Sequence, residues 1–477
     1  MARIDRLTRG AAAIALMGAL SACSLMPSER PTPGALPEAW QDAPAQAGDP
    51  ASLTNWWRGF EDPMLDRLVA EALSDGGSVL IAASRVREAR AQGWNVIAGF
   101  LPRVDGFGRG TYNQSLDGPD LPTADLSGAQ SEQMIGSYGA QVSWEIPMFG
   151  RIAAAGTGAG ANVNAARADL RGAQVALAAD TAQAYVDLRA AQQSRIALAE
   201  AVQLTDQLAG ILRISADNGF ASEADAADVR RQAEVNRARL PNIEIEARRA
   251  ERILSVLRGH APGTEEAEVA QALTTPQDVP SLELEAAPAM PADFVRLRPD
   301  VAQAEAQALI AAAQLGSARW DLLPSLNLTG TISATDNLLG DAVASRTAGL
   351  QLIPFINIPL LGWGQRLAQV TVRDAQFDQA MIRYRDTVNG AINEGAMALT
   401  SLEQGRLRLN AARAAEEAAE ITARGSRAAY EAGIQSLADR LRNEQQLIDA
   451  RLTRISAEQQ YASAAITVYR AFGGGPG

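Results

Sequence analysis

Two stretches of this chain, Arg151 to Asp217 and Gln365 to Ala432, contain no proline. At 1.5 Å of rise per residue, a helix over either would extend roughly 100 Å, far more than the core of a globular domain needs. Apolar or small residues recur along both in alternating steps of three and four. The first runs through Leu177, Thr181, Ala184, Leu188, Ala191, Leu198 and Val202; the second runs through Phe377, Met381, Tyr384, Val388, Ala391, Gly395, Ala398 and Leu402. Such a seam predicts coiled-coil packing, and its many Ala and Gly residues let backbones approach closely. A solitary coiled-coil rod carries the same seam, so the seam alone does not imply a channel.

A second periodicity lies beside the first. In Ala140 to Ile146 and in Leu326 to Ser333, apolar and polar residues alternate at each step, which gives a strand one greasy and one wet face. Partner strands are expected at about Arg103 to Gln114 and Thr347 to Ile358, with a polar loop from Leu116 to Glu132. Each strand is about ten residues long, the length that crosses an outer membrane at a tilt. Two half-buried hairpins on a soluble core would alternate in the same way. In lipid, however, a sheet of four strands leaves its edges unpaired, so a spanning chain must oligomerise. Two copies give eight strands, a barrel that its own side chains fill; three give twelve and an open lumen.

The N-terminus reads as an address. Arg3, Arg6 and Arg9 precede an apolar run from Ala11 to Leu20, about the length of a signal-peptide core and too short for a membrane span. Leu20-Ser-Ala-Cys23 resembles the bacterial lipobox, which makes Cys23 the candidate lipid attachment site, and Ser24 in place of Asp favours sorting to the outer membrane. Residues 1–22 are then a signal peptide and 23–50 a proline-rich, extended tether.

The remainder is written twice. Gly219-Phe-Ala-Ser222-Glu-Ala-Asp225 matches Gly433-Ile-Gln-Ser436-Leu-Ala-Asp439 at an offset of 214 residues. Leu101-Pro102 against Leu323-Pro324, and Pro147 to Arg151 against Pro359 to Arg366, recur in the same order. Two repeats are expected, 51–259 and 298–472, each a helix, two strands, a very long helix, a tight turn and a returning helix. Residues 260–297 join them, and the prolines between His260 and Pro291 predict a segment that wraps rather than packs; 473–477 form a tail. At the turns, Gly219 and Gly433 supply left-handed residues, Ser222 and Ser436 cap the next helices, and Asp225 and Asp439 stand at the capping-box position. Asp225, Asp228 and Asp439, repeated by oligomer symmetry, would also form an acidic, cation-favouring constriction.

Composition removes most alternatives. One Cys, one His and no Lys leave no disulfide framework, no Cys/His zinc site, no P-loop and no Schiff-base lysine. Neither GxSxG nor HExxH occurs, so an enzyme is not expected and no cofactor or metal is implied. A net charge of −12 with few aromatics argues against nucleic acid as a partner.

Taken together, these residues resemble the bacterial outer membrane factor family, the TolC, OprM and NodT type of efflux channel, in its lipoprotein branch. Trp56-Trp57 through Leu65 is similar to the family's opening segment, and Arg298-Pro-Asp-Val301 with Ala304-Glu305 to the start of its second repeat. Gly433-x-x-Ser436-x-x-Asp439 resembles its helical-tip motif. The resemblance implies a mixed α and β membrane protein, a homotrimer. Its twelve-stranded outer-membrane β-barrel, four strands per chain, continues into a periplasmic coiled-coil barrel. It implies a periplasmic adaptor (membrane fusion protein), an inner-membrane transporter of RND type and outer-membrane lipid as partners. Gly219, Ser222, Tyr430, Gly433, Gln435 and Ser436 then stand where adaptor docking occurs. Gln435 and Arg442 replace an arginine and a second acidic residue found in some members. A periplasmic coiled-coil scaffold or adaptor without a pore is the alternative.

Overall fold

The computed structural model describes residues 27, 29–40, 50–114, 132–148, 150–264, 266–282, 284, 287–337 and 347–476; Cys23 and the loop 116–131 lie outside them. Short 3-10 turns at Pro50–Leu53 and Trp56–Phe60 lead into α1 (Pro63–Asp75), α2 (Gly77–Ala98), β1 (Arg103–Gln114) and β2 (Glu132–Ile146). Then come α3 (Arg151–Asp217), α4 (Glu223–Leu257), α5 (Ala267–Thr274), α6 (Pro291–Leu297) and α7 (Pro299–Trp320). The chain finishes with β3 (Ser325–Asn337), β4 (Thr347–Asn357), α8 (Trp363–Glu431) and α9 (Leu437–Ala471). No helix among the described residues is long and apolar enough to cross a membrane. The chain divides into two compact units, each discontinuous in sequence.

The first unit includes Glu88–Asn164 and Glu305–Ile382. Its strands form one antiparallel sheet in the order β1-β2-β3-β4, which leaves β1 and β4 as edges. The register sorts the faces. Val104, Val142, Gly330 and Leu352 share one row, and Gly106, Ala140, Ile332 and Leu350 another, so one face is apolar across all four strands. The opposite face carries Asp105, Gln141, Thr331 and Gln351 in one row and Arg103, Ser143, Thr329 and Ile353 in the next. The strands outrun the alternating cores from which they are legible. β2 begins at Glu132, inside the expected loop, because Gly136 and Gly139 blur the hydropathy pattern while twelve residues of backbone still pair with β1. Helical packing in this unit uses Ala308, Ala312, Leu315, Phe377 and Met381. At the strand bases Arg151, the first residue of α3, ion-pairs with Glu145 and reaches Asp321 at 3.0 Å. Trp144 Nε1 donates to the Phe100 carbonyl at 2.9 Å.

The second unit holds Thr32–Arg87, Ala165–Ala304 and Arg383–Gly477 and most of the buried apolar side chains. Trp56 stacks on Tyr469 at 5.0 Å, and Phe294 packs edge-on against Trp40 and Phe472. Trp40 lies in the stretch expected to be an extended tether, yet it is buried, with its Nε1 donating to the Ala289 carbonyl.

Two further expectations need correction. The single helix anticipated before the first strands is broken in two. Asp62 caps α1 by accepting from Met64 N and Leu65 N, and α1 ends at Gly76, where a Cβ would come within 2.3 Å of the Ala72 carbonyl and 2.5 Å of Leu177 Cδ2. The connecting segment does not merely wrap. Val269, Leu273, Leu282, Ala287 and Ala289 are buried, and α3 holds the segment by its carbonyls. Arg189, fully buried, donates to the carbonyls of Thr275 and Ala272, while Gln192 donates to Leu273. The same guanidinium donates to the Tyr185 hydroxyl, which donates in turn to Asp62. Burial and the Asp62 contact push the Tyr185 phenol far up, against the opposing pull of Arg189, so it remains a neutral donor. Prolines remove backbone donors, so the segment's free carbonyls depend on side chains from α3.

Both α3–α4 and α8–α9 fold back as hairpins. The second is stapled along its length: Glu444 to Arg427, Glu416 to Arg451 and Arg454, and Glu458 to Arg413. In the first, Asp206 to Arg237 is the cross-hairpin ion pair among the described residues, and α4 carries Pro241 within the helix.

Candidate functional site

The two hairpin turns are built alike. Gly219 (φ 78°) and Gly433 (φ 73°) take the left-handed conformation that a side chain disfavours. Each closes a Schellman motif. Gly219 N and Phe220 N donate to the carbonyls of Ala216 and Ser215, and Gly433 N and Ile434 N donate to those of Tyr430 and Ala429. The residue after the glycine is apolar in both and projects outward: Phe220 is 88% and Ile434 82% exposed. These two were not singled out from the sequence, although the position following a helix-ending glycine marks them.

The caps differ. Ser436 Oγ accepts from Asp439 N at 3.1 Å and donates to Asp439 Oδ2 at 2.7 Å. Ser222 Oγ accepts instead from Ala224 N, one residue earlier, so Asp225 is not drawn into the capping arrangement expected of it. Asp225 makes no hydrogen bond or ion pair among the described residues. Asp228 pairs with Arg231 at 2.7 Å and Asp439 with Arg442 at 2.9 Å, which neutralises much of the acidic cluster locally. Both partners lie three residues on, one helical turn away.

A cavity of about 520 Å³ opens between the first hairpin and the start of α9. It brings together Phe220, Asp225, Asp228, Ser436, Leu441 and Arg442. Asp439 does not line it but orients Arg442, which does. Of the tip residues, Gly219 and Gly433 shape the turns. Tyr430 lies under Arg440, whose guanidinium carbon is 5.2 Å from the ring centroid, and Gln435 is half-buried beside its own turn. The arrangement offers an exposed apolar residue on each turn and a carboxylate-lined cavity.

The profile of the family described as outer membrane efflux protein matches residues 68–260 and 293–474, most of the chain and both hairpins. The chain belongs to this family. Nodulation protein T of Rhizobium leguminosarum bv. viciae is 27% identical over 460 residues, 96% of this chain and 91% of that protein. Cation efflux system protein CusC of Escherichia coli K12 is 25% identical, covering 96% of this chain and 97% of its own length. Among solved structures, the outer-membrane channel OprN superposes with a TM-score of 0.82 at 25% identity, covering 94% of this chain and 99% of that one. This family member is therefore an outer-membrane efflux protein, and its fold is that of solved outer-membrane channels.

Proposed function

We propose that the chain forms a homotrimer whose sheets close edge to edge into a twelve-stranded outer-membrane barrel, anchored by lipid at Cys23. It acts as a passive duct for a periplasmic adaptor and an inner-membrane transporter of RND type. The observation that carries this reading is the sheet. One face is apolar across four strands, the other is polar, and β1 and β4 are free edges. An open sheet in hydrocarbon strands its backbone groups, and three copies supply both closure and a lumen. The recurring order of two strands, long helix, turn and returning helix supports two tandem repeats, at 51–259 and 298–472.

In this reading the turns converge at the periplasmic end. Phe220 and Ile434 give an adaptor its apolar contacts, and Asp225, Asp228 and Asp439 line the entrance. Asp225, lacking an arginine, contributes most of the field. The polar sheet face is dominated by Thr and Ser hydroxyls and amides, which discriminate little. Relatives of similar identity are named for cation efflux and for toluene efflux, which fits a duct that leaves selection to its transporter. The test is single-channel conductance of the detergent-extracted protein in a planar bilayer, with oligomer mass measured on the same sample. A conducting trimer is expected, and Asp225→Ala should lower its cation selectivity more than Asp228→Ala or Asp439→Ala. Folded monomers without conductance would overturn the reading in favour of a periplasmic scaffold.

A further inference from the structure

The repeat that gives the two turns a common shape gives them different chemistry. At the offset of 214 residues, Phe220 corresponds to Ile434, Asp225 to Asp439 and Asp228 to Arg442. In the second turn, acid and base fall on one helix and cancel, Asp439 to Arg442 at 2.9 Å. In the first turn both positions are acidic. Asp228 takes Arg231 at 2.7 Å, and Asp225 has no partner among the described residues. The first turn therefore combines an unmatched carboxylate with an exposed aromatic ring.

Both groups line the cavity of about 520 Å³ between the first hairpin and α9. The charged side chains lining it are Asp225, Asp228 and Arg442, two carboxylates against one guanidinium, so one negative charge is left over. Arg231 and Asp439, which pair with them from outside the lining, cancel each other. Glu223 and Arg230, also outside the lining, are of opposite sign. The floor is apolar. Leu212 and Leu441 belong to a small core shared with Leu208 and Ala226, and Val229 and Leu437 pack against it. Gln232 and Gln445 supply a polar wall. One turn along α4 from Gln232, Asn236 is fully buried, donates to Gln445 Oε1 at 3.3 Å and leaves its own Oδ1 without a donor. An unmatched carboxylate, an unmatched amide oxygen and the face of a phenyl ring all attract positive charge, while the floor attracts hydrocarbon. The volume lies within the range of small-molecule sites.

We propose that this cavity binds a monovalent organic cation, an onium group carried on an apolar body. The onium lies between Asp225 and the Phe220 ring, and the apolar body covers Leu212 and Leu441. One onium matches the one surplus charge, and a small hydrated metal ion gains nothing from the floor. The place of the site at the mouth of a duct rests on the function proposed above; the cavity itself lies within a single chain.

Benzyltrimethylammonium and its uncharged isostere neopentylbenzene would be titrated into the full-length protein in detergent and read by calorimetry, with conductance of the same sample measured alongside. The wild type is expected to bind the cation about tenfold more tightly than the isostere, the combined scale of one exposed charge pair and one cation–ring contact. Asp225→Asn should weaken the cation about fivefold and Phe220→Leu about threefold. Arg442→Gln, which removes the opposing charge from the lining, should strengthen it about threefold. Glu431→Gln, on the second hairpin and outside the cavity, should change nothing. All four side chains are exposed, so no variant removes core packing. Unchanged affinity in both Asp225→Asn and Phe220→Leu would overturn the proposal. So would equal binding of neopentylbenzene, which marks partition into the micelle. An equal loss in Glu431→Gln, or displacement by magnesium at matched ionic strength, would overturn it too, because either marks a general acidic field. A conducting trimer that does not bind the cation removes this inference alone. A protein that binds but does not conduct keeps the cavity and removes the channel reading.

Discussion

The two hairpins share a turn but are held differently. The α8–α9 hairpin has carboxylates in its inter-helix seam, Glu444 and Glu416 among them, each gripped by arginine from the facing helix. The α3–α4 hairpin has the exposed Asp206–Arg237 pair and a proline at 241, whose missing N–H leaves the Arg237 carbonyl without its helical donor. At its base, however, the first hairpin is pinned. Arg258, at the end of α4, is buried against Glu71 with Nε to Oε2 at 2.6 Å, and α3 contributes Arg189 to the connecting segment. One hairpin is therefore stapled throughout, while the other is fixed at one end and compliant toward its turn. Equivalent folds do not imply equal stiffness.

The largest effect is expected at the pinned base. Glu71→Ala leaves the Arg258 guanidinium buried without its acid and should cost about 3–5 kcal/mol, read as a lowered melting temperature. The same contact sets a pH dependence. Burial alone would raise the Glu71 carboxyl, but hydrogen bonds from Arg67 and Arg258 outweigh it and hold the group below its usual range. Its stabilisation is complete above the unfolded value near 4.3 and is lost as pH falls toward the lower folded value. The acid limb of the melting curve should therefore be shallower in the variant.

Next comes Pro241→Ala, which restores a donor to Arg237 and should stabilise α4 by up to about 3 kcal/mol, with slower amide exchange over 237–245. If exchange there does not slow, compliance comes from the sparse cross-hairpin pairs rather than from the proline. The smallest effect tests what the hairpins have in common. Gly219→Ala and Gly433→Ala each force a side chain into the left-handed region and should each cost about 1–2 kcal/mol. Unequal costs would mean that the turns are less alike than their hydrogen bonds.

The architecture was legible where one physical signal ran uninterrupted. Freedom from proline and the three-and-four seam placed α3 at Arg151–Asp217 and α8 within two residues, and alternation located the sheet. It failed where a residue behaves unlike its type. Nothing local marks Arg189 as buried, because arginine is mostly a surface residue and its partners are carbonyls more than eighty residues away. Prolines in 260–291 announced a linker, but not that side chains from α3 would satisfy its carbonyls. At the turns, glycines and capping serines were readable, whereas the pairing of Asp228 with Arg231 and Asp439 with Arg442 was missed when these aspartates were read as an acidic constriction, although each pair is one helical turn apart. The cavity joining Asp228 to Ser436 was not readable, because it depends on two hairpins distant in sequence meeting side by side.

Near the start of the second unit, Asn55 N donates to the Gly475 carbonyl and Gly475 N donates to the Leu53 carbonyl, beside the stacked Trp56 and Tyr469. Leu53 and Asn55 are made some 420 residues before the glycine that completes them. The fastening is therefore a clock. These bonds have no partner until Gly475 has been made, and the stacking of Trp56 waits likewise on Tyr469. Closing so long a loop costs more chain entropy than folding either hairpin, so this fastening is expected to form after the local structure on both sides of it.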